Sequence, residues 1–166
     1  PLVAEDFPLL FRWNSDREVL YFSEGADAEP YTEADIAHIY STVAASGLCF
    51  IVEIEGRPIG ECWLRSMKTP FSGGLAAFSD CRRIDLMIGE KEFWGKGYGT
   101  RIIGLLCAFA FENTSCSHVF SGSIFDYNQR SIRAFEKNGF RLFKTVDCGT
   151  GLVQKVFFKG KLNKTF

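Results

Sequence analysis

The chain has 166 residues, with 19 basic and 20 acidic side chains and a formal charge of -1. That length fits one domain over residues 1–166 with enough chain to bury a core, and a charge so near zero supplies no general field for nucleic acid or an anionic membrane, so neither is expected as a partner. Six cysteines without a close C-x-x-C pair, and only two histidines, argue against a zinc centre or thioredoxin-like chemistry, and no metal is expected. The thiols read as free in a reducing compartment; with no leader recognised and no uncharged apolar run of about 18 residues, cytoplasm is the expected location.

In chain order, the opening reads as a short extended piece and then a helix from Asp6 or Phe7, with Asp6 as cap, Pro8 in the first turn and Leu9, Leu10 and Trp13 on one face. Thr32 and Asp35 have capping-box spacing for a second helix. Ile36, Ile39, Tyr40 and Val43 recur along it, and Gly47 is expected to end it. Two strands around a Glu-Gly-Arg-Pro turn follow. Phe50, Val52 and Ile54 alternate there against Glu53 and Glu55, the pattern of a hairpin solvated on one face. Lys68 to Arg83, rich in Gly, Ser and Phe, reads as a loop long enough to line a site.

Ile84 to Ile88 is strand-like, and Thr100 to Phe111 reads as a helix against the sheet with Ile102, Ile103, Leu106 and Phe109 inward. His118 to Phe125 is expected as a strand, Gln129 to Asn138 as a helix with Asn128 near its start and Gly139 at its stop, and the remainder as two strands around a Cys-Gly-Thr-Gly turn. The result is a mixed α/β layout with helices on the faces of the sheet. Phe157 and Phe158 in the last strand serve a dimer or simply pack on the two sides of one sheet, so monomer and homodimer both stay open.

The sharpest local signal is DLMIGEKEFWGKGYGT, Asp85 to Thr100, with alternate glycines between a strand and a long helix. Glycines there admit positive φ and close approach of a ligand, and first-turn N–H groups lack internal acceptors, so the bend suits a diphosphate, with Lys96 able to add charge or to face solvent. Neither the Walker spacing nor G-x-G-x-x-G is present, which argues against a triphosphatase or a dinucleotide fold, while a tight turn without a ligand remains the plain alternative. His38 and His118 have no sequence-local partners for a Ser-His-Asp arrangement.

Two stretches together resemble the GCN5-related N-acetyltransferases (GNAT). Trp94, Gly97 and Gly99 fall on the marked positions of the signature Q/R-x-x-G-x-G/A, with Trp94 departing from Gln or Arg, and NQRSIRAFEKNGF from Asn128 to Phe140 is similar to a second signature throughout. The resemblance covers nearly the whole chain. It is nearest to the aminoglycoside 6'-N-acetyltransferase branch, on FRWNSDREV from Phe11, GRPIG from Gly56 and the spacing from Ile84 to Gly99.

It implies a central mixed, mostly antiparallel twisted sheet with helices on both faces, and acetyl-coenzyme A as co-substrate. Leu86, Met87 and Ile88 would line the pantetheine arm; Trp94, Gly95, Lys96, Gly97, Tyr98, Gly99 and Thr100 would surround the diphosphate. Asn128 would contact the arm or serve only as helix cap. Phe135 stands where many relatives have a tyrosine that protonates the leaving thiolate, and it has no proton to give.

Asp85 matches the catalytic aspartate of the branch. A carboxylate with a pKa of about 4 is a weak base toward an amine, so its role is base or orienting group, and pairing with Arg82 or Arg83 is the plain alternative. Glu61 is a second candidate. The implied reaction is direct acetyl transfer to a primary amine of a small molecule, an aminoglycoside being the leading case. The loop from Lys68 to Arg83 is short of carboxylates for a polycation, which Glu24, Asp27, Glu29 and Glu61 would have to offset. Peptide acetylation of the ribosomal-protein type and a non-catalytic acyl-coenzyme A sensor are the alternatives.

Overall fold

A computed structural model describes residues 1–45, 47–67, 80–149 and 151–161. Val3 is extended, as expected of the opening, and a 3-10 turn, Ala4–Asp6, follows it; the Asp6 carboxylate accepts from the Val3 amide at 2.9 Å instead of capping the next helix. Two helices follow where one was expected, α1 (Phe7–Asn14) and α2 (Arg17–Ser23). The break falls where Asp16 takes an extended conformation and accepts from the amides of Glu18 and Val19, a competing N-cap that restarts the helix. Helix α3 (Glu33–Ala44) has the expected capping box, with the Asp35 amide donating to Thr32 and the Thr32 amide to Asp35. Gly47 does not stop this helix; it is the first residue of β1 (Gly47–Ile54).

Strand β1 and β2 (Arg57–Met67) form a hairpin whose two-residue turn, Glu55 and Gly56, has φ of 52° and 76°, the positive pair that matches strand twist. The hairpin is covered on both faces, not one. Phe50, Val52, Cys62 and Leu64 pack with α4 and α5, while Ile51 and Trp63 pack with α1 and α3. Successive strand side chains alternate between these layers. Strand β3 (Cys81–Ile88) begins three residues before the expected strand, and residues 68–79 of the expected loop lie outside the described chain.

Helix α4 (Tyr98–Asn113) buries Ile103, Leu106, Cys107 and Ala110. Ile102 is only half-buried against this layer and Phe109 is 40% exposed, because residues 103, 106, 107 and 110 define the sheet-facing stripe and Phe109 falls outside it. The expected strand from His118 is interrupted, giving β4 (His118–Ser121) and β5 (Ile124–Phe125), which pair with successive stretches of β7 (Val153–Gly160). At the gap, the Ser121 hydroxyl accepts the Phe157 amide at 2.9 Å and so replaces a lost ladder bond. Helix α5 (Gln129–Lys137) starts at Asn128 and is followed by β6 (Arg141–Asp147), which pairs with β7.

The seven-stranded sheet runs β1-β2-β3-β4-β7-β5 with β6 beside β7; β3 and β4 are parallel and all other neighbours antiparallel. This is a mixed, mostly antiparallel sheet with helices on both faces. None of the six cysteines, all among the described residues, forms a disulfide. Burial pushes the Cys62 thiol up to about 12 and the Cys107 thiol up to about 11, so both act as small core hydrophobes. Among the described residues no helix is long and apolar enough to cross a membrane.

Candidate active site

The lone parallel pair creates an opening in the sheet. β3 pairs with β4 only from Cys81 to Ile84, closed by the Gly122 amide donating to the Ile84 carbonyl at 3.1 Å. Asp85, Leu86, Met87 and Ile88 keep their β2 partners but, among the described residues, have no strand on the other side. An unpaired strand edge presents backbone groups that an extended ligand can satisfy.

At the end of that edge the chain turns through Lys91–Phe93, and Gly95 and Gly97 take φ of 74° and 86°. Gly97 is the N-cap of α4; it offers no side-chain cap, and the first turn carries no acidic residue. No atom lies within 4 Å of where a Cβ would stand on Gly95 or Gly97. Uncapped first-turn N–H groups beside glycines with room around them are what a phosphate anion requires. A cavity of about 300 Å³ joins Leu86, Met87 and Ile88 to Trp94, Gly95 and the stretch from Gly97 to Thr100, with Asn128 and Arg130 opposite. Lys96 is not among its walls: it is exposed, with Nζ 5.5 Å from the Phe93 ring centroid.

Trp94 donates its indole N–H to the Ile88 carbonyl at 2.7 Å and thereby fixes the bend to the end of β3. Asn128 caps α5, accepting the Ser131 amide at 3.2 Å, and its amide nitrogen donates to the Phe22 carbonyl at 2.9 Å. The cap reading is therefore correct, while the same residue also lines the cavity.

A second cavity, about 170 Å³, shares Phe22, Ser23, Leu86, Met87, Asn128 and Ser131 with the first. Strand alternation builds it. Register places Trp63 opposite Asp85 and Glu61 opposite Met87, so Glu61, Trp63 and Asp85 point to the α1–α3 side. The Asp85 Oδ1 accepts from Arg83 Nε at 2.9 Å and Nη2 at 2.5 Å, whereas its Oδ2 is buried without a protein partner. Arg82 pairs instead with Asp80 at 2.6 Å.

Glu61 is 5% exposed, receives the Tyr40 hydroxyl, and receives the Trp63 indole N–H at 2.7 Å. Burial pushes its carboxyl up to about 7; the two donors oppose that shift, and the negative charges of Asp85 and Glu24 add to it. Loss of water also raises the Glu24 carboxyl, with the charge of Asp85 next, although the residue as a whole is exposed; Glu24 lines the cavity. Of the acids expected to offset the loop, Glu24 and Glu61 reach this cavity. Glu29 pairs at the surface with Arg17 at 3.5 Å, and Asp27 is not a wall residue. Phe135 is buried against Phe140 with ring centroids 4.9 Å apart and lines this second cavity rather than the first.

Tyr31, Tyr40, Arg83 and Arg130 are cavity residues that sequence reasoning did not assign to the site. Tyr40 reads as one more apolar position of α3, and only its hydroxyl, useless in a dry core, signals a polar partner.

An opened parallel pair beside an uncapped helix N-terminus has the shape and polarity for an extended, phosphate-bearing ligand, with a second cavity adjoining it. A family model described as "Acetyltransferase (GNAT) domain" matches residues 1–141, and the chain belongs to that family, whose general activity is acetyl-coenzyme A-dependent N-acetyl transfer.

Aminoglycoside N(6')-acetyltransferases type 1 of Klebsiella pneumoniae and Serratia marcescens are each 26% identical over 155 residues, covering 90% of this chain and 76% of the relative. An aminoglycoside acetyltransferase, AAC(6')-Ib, solved with ribostamycin and coenzyme A, superposes with a TM-score of 0.79 at 25% identity over 96% of this chain and 90% of that one. A structure described as a putative phosphinothricin N-acetyltransferase gives 0.75 at 20% identity, over 96% of this chain and 94% of that one, a likeness of fold alone.

Proposed function

We propose that this chain acetylates a primary amine of a small, multiply cationic molecule, with an aminoglycoside 6'-amine as the leading case, by direct transfer in a ternary complex. The observation that carries the reading is the unpartnered Asp85 Oδ2, on the strand whose free edge begins at that residue and within the cavity of Glu24 and Glu61. Similarity to aminoglycoside acetyltransferases over nine-tenths of the chain supports the named acceptor.

Bound acetyl-coenzyme A supplies an acetyl thioester, a good acyl donor with a weakly basic leaving group. Leu86, Met87 and Ile88 hold the pantetheine arm along the free strand edge. Trp94, Gly95, Gly97, Tyr98, Gly99 and Thr100 surround the diphosphate with backbone amides, and Asn128 closes the arm from α5. The acceptor amine arrives as an ammonium and needs a lone pair. Arg83 grips one oxygen of Asp85 and fixes the plane of the carboxylate, so that the other accepts an N–H of the ammonium and takes that proton before attack. The freed lone pair forms the C–N bond at the thioester carbonyl, the C–S bond breaks as the oxyanion collapses, and the second nitrogen proton is lost to solvent. Glu24 and Glu61 hold further ammonium groups of the acceptor. Phe135 gives no proton, so the departing thiolate is protonated from solvent.

Thiol release from acetyl-coenzyme A, screened with aminoglycosides, simple polyamines and amino-terminal peptides beside an Asp85→Asn variant, tests this. Release confined to the polycations and lost in the variant is expected. Turnover of peptides alone would move the acceptor to protein, and cofactor binding without any release would favour a sensor.

A further inference from the structure

Arg130 stands at an electrostatically unfavourable position. It lies in the first turn of α5, where the helix dipole is positive, and that turn carries no acidic residue. Across the larger cavity the first turn of α4 likewise has no acid and no side-chain cap. Arg133 and Lys137 extend the same wall. Among the described residues Arg130 makes no ion pair. Two positive helix ends and a cation thus face one space without a protein anion to balance them.

The side chain is nonetheless held. Its guanidinium carbon lies 4.0 Å from the Trp94 ring centroid and 4.3 Å from that of Phe22, and those rings meet at 85°. Trp94 is itself fixed to the Ile88 carbonyl, and Phe22 is tethered through its carbonyl to Asn128. Contact with ring faces restrains a guanidinium without using its N–H donors, which stay free for a planar, bidentate anion.

We infer that Arg130, clamped by Trp94 and Phe22, is a phosphate-binding residue for the ADP part of coenzyme A. In this chain an aromatic residue at position 94 positions a cation supplied by α5 instead of presenting a polar side chain of its own. The inference rests on the reading of the cleft as the coenzyme A site.

Titration calorimetry with coenzyme A, dephospho-coenzyme A and phosphate-free S-acetylpantetheine separates the two ideas. Arg130→Gln should weaken coenzyme A about tenfold, leave S-acetylpantetheine unchanged and leave the unliganded melting temperature in place. Arg130→Lys, which keeps the charge but not the planar face, should fall between, and the advantage of the parent over Arg130→Gln should shrink as salt is raised. A loss that persists with dephospho-coenzyme A assigns the contact to the diphosphate, and one that vanishes assigns it to the 3'-phosphate. Equal coenzyme A affinity in parent and Arg130→Gln, or an equal loss with S-acetylpantetheine, would overturn the inference. A parent that binds no coenzyme A would instead remove the reading beneath it.

Discussion

The two cavities that meet at Leu86 and Met87 are made of different material. The larger one has a backbone side, with a strand edge that has no neighbour among the described residues, two glycines at positive φ and the uncapped start of α4, faced by cations of α5. The smaller one is built from side chains, Glu24, Tyr31, Tyr40, Glu61, Arg83 and Asp85, drawn from both helical and strand segments. A backbone site binds what every substrate shares and tolerates sequence change around its glycines; a side-chain site discriminates and fails when one group is altered. Variants should therefore divide into those that lose cofactor and those that lose only the acceptor.

The largest effect expected is from Asp85→Asn. It keeps the shape and the Arg83 contact but cannot take a proton, so kcat should fall roughly a thousand-fold while coenzyme A affinity stays within about twofold. Parallel losses in both would mean that the two cavities are not separable.

Glu61 gives a pH test within the same cavity. Its folded carboxyl is raised from 4.5 to about 7, so between those values the folded state holds a proton that the unfolded state has released. Stability therefore falls as pH rises through this window. The penalty is absent below about 4.5 and complete above about 7, where it amounts to about 3 kcal/mol. Glu61→Gln removes the titration while its amide oxygen can still accept from Trp63 and its amide nitrogen donate to Tyr40. The variant should melt several degrees higher than the parent at pH 8 and show no such advantage at pH 4.5. Thermal melts at the two pH values check this, and an unchanged difference would remove Glu61 as the titrating group.

On the cofactor side, Gly97→Ala introduces no clash, since nothing lies within 4 Å of the new Cβ, but it forces φ of 86° on an L residue. A stability loss of about 1–2 kcal/mol is expected, with weaker coenzyme A binding as the α4 start relaxes. The acceptor KM, measured at saturating cofactor, should not move.

The same contrast explains what could be read in advance. The glycine bend is local and periodic, so residues 94–100 announced a strand-to-helix turn that opens a long helix, and Asn128 to Phe140 a capped helix beside it. Asp85 was legible as a cavity residue because it lies on the strand that leads into that bend. Tyr31 and Tyr40 were not, for their meeting with Glu24, itself one of the acids expected to serve the site, depends on the early helical segments crossing the same sheet face, a tertiary fact without a local pattern. The two-helix opening was missed because Asp16 acts as a cap only once the chain has broken at Ser15. Expecting Phe109 inward fails for a related reason: several apolar rows run along α4, and the sheet, not the sequence, selects one.

Gly122 sharpens the comparison most finely, because it is a glycine in the side-chain site. Here the constraint is space: a Cβ would stand 2.8 Å from Asp85 Oδ1 and 3.6 Å from Arg83 Nε. The break between β4 and β5 thus leaves room for the ion pair, and the Gly122 amide ends the β3–β4 ladder one residue before Asp85. Gly122→Ala should tilt the carboxylate without removing it. Acceptor kcat/KM is expected to fall about tenfold, with coenzyme A affinity unchanged and the melting temperature within a few degrees of the parent. Adding Asp85→Asn to Gly122→Ala should then lower kcat/KM little beyond Asp85→Asn alone, since both act through one carboxylate. Fully additive losses would show that Gly122 acts elsewhere, through the sheet ladder rather than through the Asp85–Arg83 pair.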